Sequence, residues 1–173
     1  MEKENNHIIP SVVRQALVWL DRMSIPYSKL ETGDLWEFEY DGNNVFLFNE
    51  VENDVLALYT AAFVPGDDEE TRKLVFDFSI GFMTDDLRDC EVEYLSDGLA
   101  QVSQWWKINS PKNHPQLYKP HFIRLLRNLN DRQIKLSIGF QMGFESLFHV
   151  PMDLIGNTPI INVCSQHGKS LYH

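Results

Sequence analysis

The chain has 173 residues and carries 25 acidic against 15 basic side chains, which gives a formal net charge of −10. A chain of this length is normally one domain and can bury roughly 70% of the surface that its unfolded form exposes. Hydrophobic residues make up 43% of it and aromatic residues 12%, a composition that excludes a disordered chain. We therefore expect a single α+β domain over residues 1–173.

The sequence carries no signal that directs a protein into or across a membrane. Its N-terminus, MEKENNHIIP, has no apolar h-region, and no apolar run approaches the ~20 residues of a membrane span. The two cysteines, Cys90 and Cys164, are too few for a disulfide framework and do not form a CxxC pair. These features predict a cytoplasmic protein with no membrane partner.

Charge is unevenly distributed along the chain. Residues 31–97 hold 19 acids and 3 bases, whereas residues 107–135 hold seven bases and one acid. Solvated faces of opposite sign are the simpler interpretation, although the two segments could also pair or steer a charged partner. Tyr118 and Phe122 lie among the bases, but a pI of about 4.9 argues against nucleic-acid binding. We expect no nucleic-acid partner.

The first half of the chain reads as a helix followed by an antiparallel three-strand meander. Apolar side chains repeat at helical spacing over residues 10–23, and Pro26 ends this helix. Asp41-Gly42 is a strong hairpin turn because both residue types tolerate positive φ. The three predicted strands span residues 35–40, 45–49 and 55–63.

The second half predicts a helix, a two-strand hairpin and a C-terminal helix. The first of these helices covers about 68–83, the hairpin strands cover 90–95 and 99–108, and the last helix starts at His121. Residues 133–142 alternate between apolar and polar side chains like a strand, yet they follow a helix without a turn residue. Their pattern therefore does not assign them to either a strand or a helix. The core is predicted over about 8–130, with an irregular C-terminal extension over 140–173 that is rich in proline and glycine.

Four consecutive acids, Asp67 to Glu70, precede the second helix, and they could hold a metal or begin the helix. Asp67 and Glu70 have capping-box spacing, and negative charge is favourable at a helix N-terminus. The pattern therefore favours a helix start. Behind it, apolar side chains spread over an arc of about 240° on a helical wheel, wider than the ~100° of an ordinary surface helix. This helix should bury more than one side, under the C-terminal segment or against a second subunit.

Apolar side chains of the second helix, together with one strand tryptophan, are the candidate partner-binding residues. Trp105 and Trp106 are adjacent in a strand and point to opposite faces. Trp106 joins the core face, and Trp105 is left outward, as a partner contact or under the C-terminal tail. The candidates are Phe76, Phe78, Ile80, Phe82 and Trp105.

No catalytic motif is found in the sequence, since a P-loop, a dinucleotide glycine fingerprint, HExxH and a nucleophile elbow are all missing. The acids of TDDLRD, Asp85 to Asp89, could be imagined as a cation site, but they lack the spacing and the glycine of a Ca²⁺ loop. We expect no cofactor and no metal. The alternative is a small enzyme or a metal- or ligand-binding domain that uses the acids around Asp85–Asp89.

The order of predicted elements resembles the type III secretion chaperone-like fold and the related bacterial sensory-transduction-regulator-like family. The resemblance covers residues 8 to about 130, and the segments ALVWLDRMSIPY, LETGDLWEFEYDGNNVFLFNE and NDVLALYTAAF carry it. It implies a non-enzymatic, chaperone-like or regulatory module that binds a client or partner protein through a hydrophobic helix and sheet surface. It also implies a homodimer, and it assigns no site residue.

Overall fold

The computed structural model describes residues 11–31, 34–50, 55–88, 90–107 and 117–148. This part of the chain contains six strands and three α-helices, with a short 3₁₀ turn at Ser96–Gly98. The elements are α1 (Ser11–Arg22), β1 (Tyr27–Lys29), β2 (Leu35–Tyr40), β3 (Asn43–Glu50), β4 (Val55–Phe63), α2 (Glu69–Phe82), β5 (Glu91–Tyr94), β6 (Leu99–Lys107) and α3 (Lys119–Phe148).

All six strands form one antiparallel sheet in the order β1-β2-β3-β4-β6-β5. The predicted meander is β2-β3-β4, and the predicted hairpin is β5-β6. Both hairpin turns use left-handed backbone, with φ of 53° and 80° at Asp41 and Gly42 and of 64° and 74° at Asp97 and Gly98. Aspartate and glycine reach these angles at little cost, so the predicted turns form.

The three helices pack on one side of the sheet, which we call the front face. Side chains from α1, α2 and α3 share one buried cluster with alternate residues of the strands, such as Trp36, Leu47, Leu58 and Val102. The opposite side, the back face, carries the intervening residues of each strand. The α+β class and the order of elements expected from the sequence are confirmed.

Two local predictions need correction. A short strand that the sequence pattern did not show, β1, pairs with β2. The cap of α2 is Asp68 rather than Asp67, since the Asp68 carboxylate accepts a hydrogen bond of 2.7 Å from the Thr71 N–H. That hydrogen bond lowers the pKa of Asp68. The acids do begin a helix, one residue later than predicted.

The predicted C-terminal boundary is wrong for residues 140–148. Helix α3 runs for 30 residues without a break, through the stretch 133–142 that the pattern left undecided. Gly139 and Gly143, which weaken helix propensity, are buried inside it. Residues 149–173 lie outside the described part of the chain, and the single-domain organisation stays a prediction.

Candidate functional site

Helix α2 lies against the C-terminal half of α3, and the two helices run antiparallel. A β-carbon built on Gly139 would overlap the Met83 sulfur, and one built on Gly143 would overlap the Ser79 hydroxyl. A later residue of α3 thus contacts an earlier residue of α2, as antiparallel helices require. The missing side chains of the two glycines, one helical turn apart, let the helix backbones approach closely.

Only one side of α2 is buried by this contact. Val75, Ser79 and Met83 repeat every four residues along that side. Phe76 and Ile80 flank them and are half-buried against the core. The Phe76 ring packs between the rings of Tyr94 and Phe140, with centroids 5.3 and 5.8 Å away. The wide apolar arc therefore divides into a core side and an exposed side.

The exposed side of α2 and its neighbour on α3 carry six large apolar side chains, which we call the outer apolar face. Two stripes form it, each with a residue every four positions, and each side chain is between 43% and 51% exposed. On α2 the Phe78 and Phe82 rings meet edge to face at 5.6 Å. The six residues are Leu74, Phe78 and Phe82 on α2 and Ile134, Ile138 and Met142 on α3.

The two stripes lie next to each other on the same side of the helix pair. A β-carbon on Gly143 would lie 3.6 Å from the Phe78 ring, and Met142 is the preceding residue of α3. Because the helices are antiparallel, Met142 lies beside the α2 turn that carries Phe78 and Phe82, and Ile138 lies beyond Phe82. The α2 and α3 stripes therefore come together around Phe78 and Met142.

The five predicted site residues do not share a surface. Phe78 and Phe82 belong to the outer apolar face, whereas Phe76 and Ile80 point toward the core. Trp105 lies on the back face of the sheet, on the other side of the molecule from the helices. Their role in partner binding stays a prediction, which the exposed positions Phe78 and Phe82 suit best.

Sequence reasoning missed the α3 half of the patch. Ile134, Ile138 and Met142 follow the i, i+4, i+8 spacing of one helix face, a signal that was available in the sequence. It was obscured because Leu136 and Phe140 fill the positions between them and make the stretch alternate. In the helix, Leu136 and Phe140 face the core.

Trp105 adjoins an apolar cluster on the back face that contains Leu30, Leu35, Phe46, Phe48 and Tyr59. The Phe46 and Tyr59 rings stack at 5.0 Å across β3 and β4. Phe48 meets the edges of Tyr59 at 5.7 Å and of Trp105 at 5.9 Å. The register confirms that Trp105 and Trp106 face opposite ways, since Trp106 pairs with the front-face residue Leu56.

The acids of the alternative hypothesis are engaged in separate ion pairs. Asp85 lies 3.0 Å from Arg88 in a largely exposed pair, and Asp86 lies 2.7 Å from Lys135 of α3. The hydrogen bond from Lys135 lowers the pKa of Asp86. Asp89 lies outside the described residues. Within the ranges that the structure describes, no three acidic, histidine or cysteine side chains are grouped to hold a metal ion.

No helix among the described residues is both long enough and apolar enough to span a membrane. Neither the protein-family models nor the curated proteins include a match to this sequence.

Comparison with solved structures shows what the arrangement is similar to. The crystal structure of the ExsC-ExsE complex matches with a TM-score of 0.50 at 20% identity, over 73% of this chain and 91% of that chain. YbjN from E. coli, described as a candidate transcription regulator, matches with a TM-score of 0.46 at 15% identity, over 83% of this chain and 98% of its own. At such low identity the ExsC-ExsE match shows the fold alone. The chain thus has the type III secretion chaperone-like fold that its sequence predicted.

Proposed function

We propose that the chain is a non-enzymatic protein-binding module, chaperone-like or regulatory, that acts as a homodimer joined through the outer apolar face. The observation that carries this proposal is the pair of neighbouring apolar stripes, which hold six half-exposed side chains. Single exposed apolar residues are common on protein surfaces, whereas apolar side chains grouped on one surface are typical of an interaction site. A cytoplasmic location accompanies the proposal, as the sequence led us to expect.

The outer apolar face has an area that can form the centre of an interface between two copies of the chain. Six apolar side chains of ~170 Å² each, about half exposed, present about 500 Å². This lies in the upper part of the ~300 to 600 Å² range of the largest apolar patch on a typical monomer. A standard interface buries about 800 Å² per partner, with an apolar centre and a polar rim. The outer apolar face would supply that centre, and the polar ends of α2 and α3 would supply the rim.

Protein binding beyond the dimer is supported by the comparison with known structures. The matching ExsC-ExsE structure is a complex of two different proteins. Its fold is therefore compatible with a second chain, and we propose that the homodimer binds a client protein. The ion pairs at Asp85 and Asp86 already engage these acids, so a cation-binding or enzymatic role has less support.

Phe82→Glu tests the proposal. Phe82 is half exposed at the centre of the outer apolar face, and a buried carboxylate opposite a second copy would be unpaired and costly. Sedimentation velocity should show a dimer for the wild type and a monomer of 20.2 kDa for the variant. Val18→Glu is the matched control, because Val18 is an exposed apolar residue of α1, 41% exposed against 50% for Phe82, and lies off the outer apolar face. Dissociation by both variants, or by neither, would contradict the proposed interface.

A further inference from the structure

The two stripes of the outer apolar face lead into helix ends of opposite charge. Arg127 lies seven residues before Ile134 on α3, which is two helical turns and therefore the same side of the helix. Glu70 lies four residues before Leu74, one turn further along the stripe of α2. Both charged side chains are exposed. The α3 stripe thus leads into a basic end of the helix pair, and the α2 stripe leads into an acidic end.

The two charged ends lie on opposite sides of the level at which the helices contact each other. Gly139 marks this level, since a β-carbon built on it would overlap the Met83 sulfur. At a rise of about 1.5 Å per residue, Arg127 lies about 18 Å from this level along the axis of α3. Glu70 lies about 20 Å from it in the other direction, because the helices are antiparallel. Phe82, which precedes Met83, is therefore about midway between the two ends.

The residues around each end keep the two ends opposite in sign. Residues 119–135 hold five bases and one acid, a net charge of +4, and residues 67–73 hold four acids and two bases, a net charge of −2. Among the described residues, Arg127 and Glu70 form no ion pair. Both ends can therefore interact with charges on a partner.

We propose that two copies of the chain pair antiparallel across the outer apolar face, so that the basic end of each copy lies against the acidic end of the other. The proposal rests on the proposed dimer and adds its orientation. A two-fold axis at the level of Phe82 brings Arg127 of one protomer to the level of Glu70 of its partner, and it does so twice. Neighbouring helices lie about 8 to 10 Å apart, an offset that an arginine and a glutamate side chain can bridge together.

A parallel pairing of the same face would place like charges together. Arg127 would then lie at the level of Arg127 of the partner subunit, and Glu70 at the level of Glu70 of the partner subunit, which is unfavourable at both ends. The apolar stripes alone allow either orientation, because the hydrophobic effect is non-directional. The charged ends therefore select the antiparallel dimer.

Charge reversal at the two ends tests this orientation in the full-length chain. In Glu70→Arg, and likewise in Arg127→Glu, both symmetry-related pairs change from attraction to repulsion, so the dimer Kd should rise by about tenfold. A chain with both substitutions restores each pair with its charges exchanged, and its Kd should return to within about threefold of the wild-type value. Sedimentation velocity over a dilution series at low salt measures each Kd.

A control substitution and the salt dependence separate this pairing from a general effect of charge. Glu91→Arg makes the same change in net charge at an exposed position of β5, away from the helix pair, and should leave Kd unchanged. Raising the salt concentration from about 0.05 to about 0.5 M should weaken the wild-type dimer, because screening removes the attraction between the exposed ends. Circular dichroism of each variant checks the fold.

Single variants that keep the wild-type Kd would overturn the antiparallel pairing, and a mixture of the two that dimerises more tightly than the wild type would show a parallel one. A double variant as weak as the single variants would also overturn the inference, because it would mean that the two residues do not face each other. In each of these cases a wild-type dimer that Phe82→Glu dissociates would still support the proposed function. A monomeric wild type would contradict both.

Discussion

The close approach of α2 and α3 predicts that alanine has opposite effects at two glycines of the helix pair. In Gly143→Ala the new methyl group would overlap the Ser79 hydroxyl and lie 3.3 Å from the Ser79 β-carbon. In Gly81→Ala it would meet no atom within 4 Å. Gly81 is thus a matched control, in which the change in helix propensity acts alone.

The magnitude follows from two opposing contributions. Alanine in place of glycine in a helix stabilises by up to ~1 kcal/mol, and both variants gain this contribution. Overpacking a close contact costs about 1 to 3 kcal/mol, and only Gly143→Ala suffers it. The free energy of unfolding should therefore be lower for Gly143→Ala than for Gly81→Ala by about 1 to 3 kcal/mol. For a chain of this size that difference lowers Tm by about 2 to 12 °C.

Thermal and urea unfolding of the two variants and the wild type measures the difference. Ser79→Ala removes the hydroxyl that the new methyl group meets, and that hydroxyl has no hydrogen-bond partner among the described residues. In a double-mutant cycle, Gly143→Ala should thus cost less in the Ser79→Ala background, by about 0.5 kcal/mol or more. If Gly143→Ala stabilised the chain as much as Gly81→Ala does, the helices could not pack as described.

Two further predictions concern α3 and the start of α2. Phe140→Ala should destabilise the fold by about 3 to 5 kcal/mol because it empties a buried site, whereas Phe148→Ala, at an exposed position, should cost far less; chemical denaturation compares the two. Asp68→Ala should lower Tm at neutral pH and Asp67→Ala should not, because Asp68 caps α2. Since the folded pKa of Asp68 is lowered, its contribution to stability is present above pH ~4 and is lost as pH falls below it, so Tm differences at pH 2 and pH 7 check the sign. Equal effects of Asp68→Ala at both pH values would contradict this role.

The strands and turns were predictable because their signals are local. Asp41-Gly42 and Asp97-Gly98 adopt left-handed angles that few other residue pairs tolerate. Glu37 and Glu39 alternate with Trp36 and Phe38, which belong to the front-face core. Side-chain period and turn chemistry suffice for such elements, and β1 escaped because three residues are too few to show a period.

The sequence could not assign the C-terminal half of α3 to a helix or a strand, because its apolar residues fit both the helical period and the strand period of two. Ile134 and Ile138 form one helical stripe, and Leu136 and Phe140 form another, offset by two positions. Together they alternate like a strand. Which period prevails depends on the long-range contact of Gly139 with α2, and no local signal contains that contact.

The candidate site was half predictable for a related reason. The apolar excess of α2 is visible in the sequence, but a wheel cannot tell its core side from its exposed side without the position of α3. Phe76 and Ile80 were therefore grouped with Phe78 and Phe82, although the structure separates them. Whether a side chain of a helix is buried depends on the elements packed around the helix as well as on the sequence of the helix.

The most direct test of the proposed function is the molar mass of Ile138→Glu measured by light scattering beside that of Phe82→Glu. The two residues lie on different helices, and the proposal places them in one interface. The wild type should have twice the chain mass of 20.2 kDa, and each variant should have the single mass. A monomeric wild type, or a dimer that only one of the two substitutions dissociates, would contradict the outer apolar face as the dimer interface.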